Sequence, residues 1–228
     1  MHDFLLKLSI MLVPALLAVT CHEVAHGYAA ERCGDPTARL LGRLTLNPLR
    51  HLDPIGTIAL LLLGFGWARA VPVNPGNLRH SRRDMALVAL AGPGANLALA
   101  IFCALCLRLS AVLTGPVTVE GQALAFGEPV SLMAAFGLYI NVILALFNLL
   151  PIPPLDGGRV LLNVLPEGLA GKVRRIEPFG LLVIVFLVFG TSLWPALLRP
   201  LVMLIVASLA GPHFGVLQDA LRLLHFSI

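Results

Sequence analysis

Apolar residues run almost without a break from Phe4 to Thr20, with Lys7 the only charge among them. The pattern continues at helical spacing and predicts a helix over residues 4–31, longer than the roughly 20 residues a bilayer crossing needs. Gly34 and Pro36 stop it. Comparable runs predict spans from Met85 to about Leu113, from Val130 to about Leu150 and from Phe179 to about Leu198, with Leu201–Leu209 as a partial return. Gly92-Pro93-Gly94-Ala95-Asn96 lies in the first third of one span and reads as a kink and close-packing site. A shorter run, Pro54–Trp67, has basic flanks on both sides and predicts a re-entrant element that dips into the membrane and returns. Alternation in Arg39–Leu46 and in Ala70–Val73 predicts short strands, and helical alternation in Phe214–Ile228 predicts a tail lying on the membrane surface. The fold expected is an all-α polytopic membrane protein of about four to six transmembrane helices, with a re-entrant or short β element near its functional site.

Composition agrees with this class. The chain of 228 residues is 58% hydrophobic and 12% charged, with a mean hydropathy of +0.90, outside the range of soluble domains. Its 16 Lys+Arg against 12 Asp+Glu gather in loops: Arg32, Arg39, Arg43 and Arg50, then Arg69, Arg79, Arg82 and Arg83, then Lys172, Arg174 and Arg175. By the positive-inside rule these loops face the cytoplasm and the amino terminus lies outside. The stretch Thr114–Pro129, with Glu120 and Glu128 and no Lys or Arg, fits the outer face. No basic tract interleaved with aromatics points to nucleic acid. The four cysteines form no disulfide framework, and Cys103 and Cys106 read as small packing residues within a span. The first apolar run is not expected to be a removable signal peptide, because cleavage after it would damage the motif described next. With no repeat and no long polar stretch, residues 1–228 are expected to form a single membrane-embedded domain, its core about 4–165, followed by C-terminal helices over 166–228.

The candidate chemistry sits in the first helix. Cys21-His22-Glu23-Val24-Ala25-His26 is an HExxH pattern, and residues four apart on a helix share a face, so both imidazoles can bind one metal ion with Glu23 beside it. Three ionisable groups within one turn of a span are costly without such a role. A catalytic zinc takes three protein ligands and keeps one position open. Of the acidic residues, all but Glu23 and Asp156 fall in loops, at span ends or in the tail, which leaves Asp156 as the candidate third ligand. Topology agrees, since the helix carrying His22 and His26 and the span preceding Asp156 both run toward the cytoplasm.

HEVAH together with Asn148-Leu149-Leu150-Pro151-Ile152-Pro153-Pro154-Leu155-Asp156-Gly157 resembles the site-2 protease family of intramembrane zinc metalloproteases. Gly66–Pro75 and Gly92–Asn96 resemble its compact bacterial and archaeal branch, without PDZ or CBS domain. The resemblance implies that His22, His26 and Asp156 hold one zinc ion per chain, that Glu23 is the general base for a zinc-bound water, and that Asn148 stabilises the oxyanion. It implies as partners the lipid bilayer and a transmembrane protein substrate, cut within the membrane in regulated intramembrane proteolysis. It also implies a prokaryotic cell (inner) membrane as location, with the active site toward the cytoplasmic side. Oligomeric state is left open, a homodimer included.

Other classes fit less well. A zinc or proton-coupled transporter calls for several intramembrane carboxylates along a path and often for repeated halves, against one cluster and no repeat here. A catalytically dead scaffold would lack Glu23 or a ligand. His51 reads as a loop histidine capping backbone, and Asn96 as a helix-to-helix hydrogen-bonding amide.

Overall fold

The computed structural model describes residues 2–56, 58, 67–114 and 127–224. Nine α-helices carry the described chain: α1 His2–Arg32, α2 Thr37–Leu40, α3 Ser81–Thr114, α4 Gly127–Asn148, α5 Asp156–Val164, α6 Glu167–Ile176, α7 Gly180–Phe189, α8 Arg199–Ala210 and α9 Phe214–Leu223. Among the described residues, four helical runs are long and apolar enough to cross a membrane: Leu5–Arg32, Ser81–Ser110, Pro129–Asn148 and Trp194–Leu223. The protein is all-α and polytopic, as its hydropathy pattern predicts.

The chain divides into two compact units. One comprises Met1–Ala18, Asn96–Leu144 and Pro195–Ile228. Its core is built from small or branched side chains, among them Ala18, Ala100, Leu107, Ala135, Leu138, Val142 and Val206, all fully buried. Small residues allow backbones to approach where lipid supplies no hydrophobic drive for helix association. Gly137 illustrates the fit: a Cβ there would lie 2.9 Å from the Cys103 sulfur and 3.4 Å from Pro14. Cys103 and Cys106 are free thiols, as expected of packing residues. Polar ties supplement the packing. Asn96 Nδ2 donates to Asn141 Oδ1 at 2.8 Å and to the Ala18 carbonyl at 3.2 Å, and Ser131 Oγ lies 2.8 Å from Ser110 Oγ. Arg108, a charge within an apolar span, donates to the Leu209 carbonyl at 2.7 Å, near the end of α8 where Gly211 has φ +59°. Carbonyls left over at a helix end are the natural partners of a cation there.

The other unit, Val19–Ala95 and Ala145–Trp194, carries the polar residues of the HExxH and Asp156 segments. Helix α1 ends where Gly34 takes φ +111° and Asp35 N–H returns to the Ala30 carbonyl at 2.9 Å, a glycine-terminated cap. The buried Asp35 carboxylate then gathers Thr37 N–H (3.1 Å), Thr37 Oγ1, Asn74 N–H (2.7 Å) and Asn77 Nδ2 (2.9 Å). One side chain thus ties the end of α1 to the segment leading into α3.

Five expectations about elements need correction. Arg39–Leu46 is not a strand: its start belongs to α2, and Gly42 at φ +64° turns the chain. Ala70–Val73 forms no ladder either, since Pro72 has no N–H to donate; among the described residues β pairing is confined to one antiparallel bridge, Leu52 to Ala68. Thirdly, the span predicted over Phe179–Leu198 is broken. Helix α7 closes at Gly190, whose N–H reaches the Phe186 carbonyl at 2.7 Å, and Thr191, Ser192 and Pro195 follow. Leu201–Leu209, expected as a partial return, and most of the tail expected on the surface belong to the run Trp194–Leu223.

Most of the re-entrant segment, 57 and 59–66, lies outside the described residues. Its flanks meet: Leu52 pairs with Ala68, Arg69 N–H bonds the His51 carbonyl at 2.8 Å, and a Cβ on Gly56 would collide with the Trp67 backbone.

Candidate metal centre

His22 and His26 stand four residues apart on α1, both buried. Gly27, next along the helix, has no room for a side chain because Leu44, Ala38 and Val71 close over it. The helix is therefore held tightly at the motif. His26 Nδ1 lies 2.7 Å from the Val88 carbonyl of α3. A carbonyl can only accept, so Nδ1 carries the proton and Nε2 presents its lone pair, the tautomer a metal ligand needs.

Asp156 is the first residue of α5, and the sequence around it is what brings it to the histidines. Pro151, Pro153 and Pro154 exclude regular helix, so the chain after α4 makes a tight turn closed by Ile152 N–H to Leu150 (2.8 Å) and Leu155 N–H to Ile152 (2.9 Å). Gly157 and Gly158 lie directly against the backbone of Leu149–Pro153, where any Cβ would clash. The first turn of α5 thereby seats on the proline turn and aims Asp156 inward. A carboxylate is favoured at a helix N-terminus.

The donor atoms converge. His22 Nε2 lies 3.0 Å and His26 Nε2 3.2 Å from Asp156 Oδ2, and the two Nε2 atoms are 3.0 Å apart. A tetrahedral zinc site with bonds of about 2.0–2.1 Å has ligand atoms about 3.3–3.4 Å apart, close to this triangle. Asp156 Oδ2 is fully buried yet accepts no well-directed hydrogen bond. Such an orphaned anionic oxygen between two imidazole lone pairs is costly unless a cation is bound. The residues fit zinc. Among the described residues these three form the group of His, Cys, Asp and Glu side chains close enough to share an ion.

Comparison with known proteins agrees with this geometry. The model of peptidase family M50 matches residues 108–191, which include Asp156 but not the HExxH. A Bacillus subtilis (strain 168) protein named "Putative zinc metalloprotease YwhC" is 42% identical over 193 residues, covering 82% of this chain and 85% of the relative. The chain belongs to peptidase family M50. A Mycobacterium tuberculosis (strain ATCC 25618 / H37Rv) protein named "Putative zinc metalloprotease Rip2" is 32% identical over 215 residues, 91% of this chain and 71% of its own length. No solved structure matches the chain significantly.

In this M50 peptidase Glu23 follows His22 on α1 and is half-buried. Its Oε2 accepts the Val71 N–H at 2.8 Å. Asn148 closes α4 and is half-buried at the entrance to the proline turn. His51 is buried with Nε2 2.8 Å from the Thr45 carbonyl, the backbone-capping role its sequence context suggests.

Sequence reasoning missed several residues. A Cβ on Gly92 would lie 2.5 Å from His26 Nε2 and 2.6 Å from His22 Nε2, so α3 presents bare backbone to the metal-facing edge of both rings. Val88 supplies the carbonyl that orients His26. Arg43, buried, donates through Nη2 to the Arg69 carbonyl at 2.6 Å, steadying the irregular segment that delivers Val71. Burial, and then the charge of Arg69, lower its pKa, while the Glu23 charge opposes both. Gly92-Pro93-Gly94 was legible as a close-packing site, but nothing in the sequence names the histidines as what it packs against.

Proposed function

We propose that this M50 peptidase is a zinc-dependent intramembrane endopeptidase, hydrolysing peptide bonds in transmembrane segments of membrane protein substrates. His22, His26 and Asp156 hold the ion, and Glu23 is the general base. The observation that carries the reading is the triangle of three buried donor atoms, one an orphaned carboxylate oxygen and two on a helix apolar enough to cross a bilayer. Zinc, when bound, supplies Lewis-acid polarisation of the scissile carbonyl and lowers the pKa of water. Glu23 then takes the proton of the attacking water and returns it to the leaving amine. The Val71 N–H fixes the carboxylate and the bare backbone at Gly92 leaves room above the ligands. Asn148 directs its amide at the developing oxyanion. The arginine-rich loops support a site that faces the cytoplasm, from which water must enter.

The test is cleavage of a transmembrane reporter by the purified protein in vesicles, beside metal analysis of the same preparation. Glu23→Gln is expected to lower turnover by about 10²–10⁴-fold while keeping about one zinc per chain. Undiminished cleavage by that variant overturns the mechanism. Asp156→Ala is expected to lose the zinc, and full retention would mean that the third ligand lies elsewhere.

A further inference from the structure

The unit that carries the candidate metal ligands also holds a cavity of about 690 Å³, a size typical of ligand sites. One wall is the segment containing Val71, whose N–H holds Glu23. Another is α5, which begins at Asp156 and contributes Arg159 one turn later. Met85 and Leu162 make part of the lining apolar.

The charges of the lining are unequally satisfied. Arg82 lies 3.6 Å and Arg174 4.0 Å from Glu167, and Arg82 also donates to the Asn163 carbonyl at 3.2 Å and to that of Leu165. Glu177 is exposed and solvated. Arg159 is half-buried, and its guanidinium has no hydrogen-bond or ion-pair partner among the described residues. A partly desolvated guanidinium with five unused donors is a receptor for a carboxylate or phosphate oxygen.

We infer that this cavity is a substrate subsite that takes an acidic side chain of the polypeptide being cut, with Arg159 as the specificity-determining residue. The inference rests on the peptidase reading above. A carboxylate is favoured over a lipid phosphate by the walls of the cavity. They run from Arg159 to the residue bonded to Glu23, so a chain lying along them is led to the general base, which a lipid headgroup has no need to reach. The subsite adds a fork-shaped, charge-assisted contact to the recognition of the strand near the scissile bond.

The experiment uses the full chain in vesicles and a set of transmembrane reporters that differ at one position, Asp, Ala or Lys, scanned on both sides of the mapped scissile bond. At one position Asp is expected to raise kcat/KM about tenfold over Ala. In Arg159→Gln the Asp-to-Ala ratio at that position should fall to about one, and in Arg159→Glu the preference should move to Lys, a gain that misfolding cannot produce. Absence of any acidic preference in the native chain overturns the subsite while leaving a Glu23-dependent peptidase intact. So does a preference that Arg159→Gln leaves unchanged. Loss in Arg159→Gln of a dependence on anionic lipid, equal for all reporters, would assign the cavity to a lipid phosphate and likewise overturn it. No Glu23-dependent cleavage of any reporter would instead refute the peptidase reading, and the subsite with it.

Discussion

At the scale of single residues, the proposed metal centre depends on an absence of atoms as much as on its candidate ligands. The missing side chain of Gly92 faces His22 and His26 at their Nε2 edges. A methyl group 2.5–2.6 Å from ring atoms must push the imidazoles, and those rings are held by a packed helix and by the Val88 carbonyl. Gly92→Ala is therefore expected to lower zinc occupancy at least tenfold at limiting metal, in line with the cost of disturbing groups that orient ligands. Titration with a competing chelator measures it; unchanged affinity would mean that the rings move aside freely. His22, Glu23, His26 and Asp156 were legible as candidates because charge in an apolar chain is expensive and the other acidic residues fall in loops, at span ends or in the tail. Gly92, Val88 and Val71 were not legible. Their parts are played by backbone, or by the lack of a side chain, and depend on which helix turns toward which.

At the scale of elements, the polar segments between spans decide how Glu23 and Asp156 are presented. Asp35 is the clearest tie, accepting from Thr37, Asn74 and Asn77. Burial works to raise its pKa, and the donors around it overcome that and lower it. Because the folded value is below the unfolded one of about 3.9, the stabilisation is complete above that pH and is lost as the pH falls through the lower, folded value. Asp35→Ala leaves buried donors unpaired and is expected to cost about 1–3 kcal/mol. Thermal unfolding in detergent as a function of pH checks both: the native chain should lose stability on acidification in this range more steeply than the variant. Element boundaries were read less well from sequence than element classes. The break at Gly190 failed to register against a strongly apolar background, because hydropathy averages over a window while one glycine and two hydroxyl residues end a helix locally. The strand pattern of Arg39–Leu46 was overridden by Gly42 and by the capping turn at Asp35, contacts made with residues far along the chain.

At the scale of the whole molecule, the membrane sets which side the chemistry faces. If the amino terminus lies outside, the four candidate crossings lead inward along α1, outward along α3, inward along α4 and outward through the run Trp194–Leu223. The loop with Lys172, Arg174 and Arg175 then lies in the cytoplasm and Arg222, near the end of the last run, at the outer face. The basic excess of the inner loops makes this orientation the favoured one. The expectation is that, in a chain freed of its four native cysteines, Lys172→Cys reacts with a membrane-impermeant maleimide only in inside-out vesicles, and Arg222→Cys only in right-side-out ones. Labelling of both positions from one side would mean an even number of crossings between Lys172 and Arg222, with α7 spanning after all. Labelling of both in the reverse sense would invert the protein and put the metal centre toward the outside, where a water path from the cytoplasm could not serve it. The charge pattern makes neither outcome the expected one. Moving the Lys172 loop outward would take its three cations across the membrane together, against the bias that orients every other basic loop of the chain.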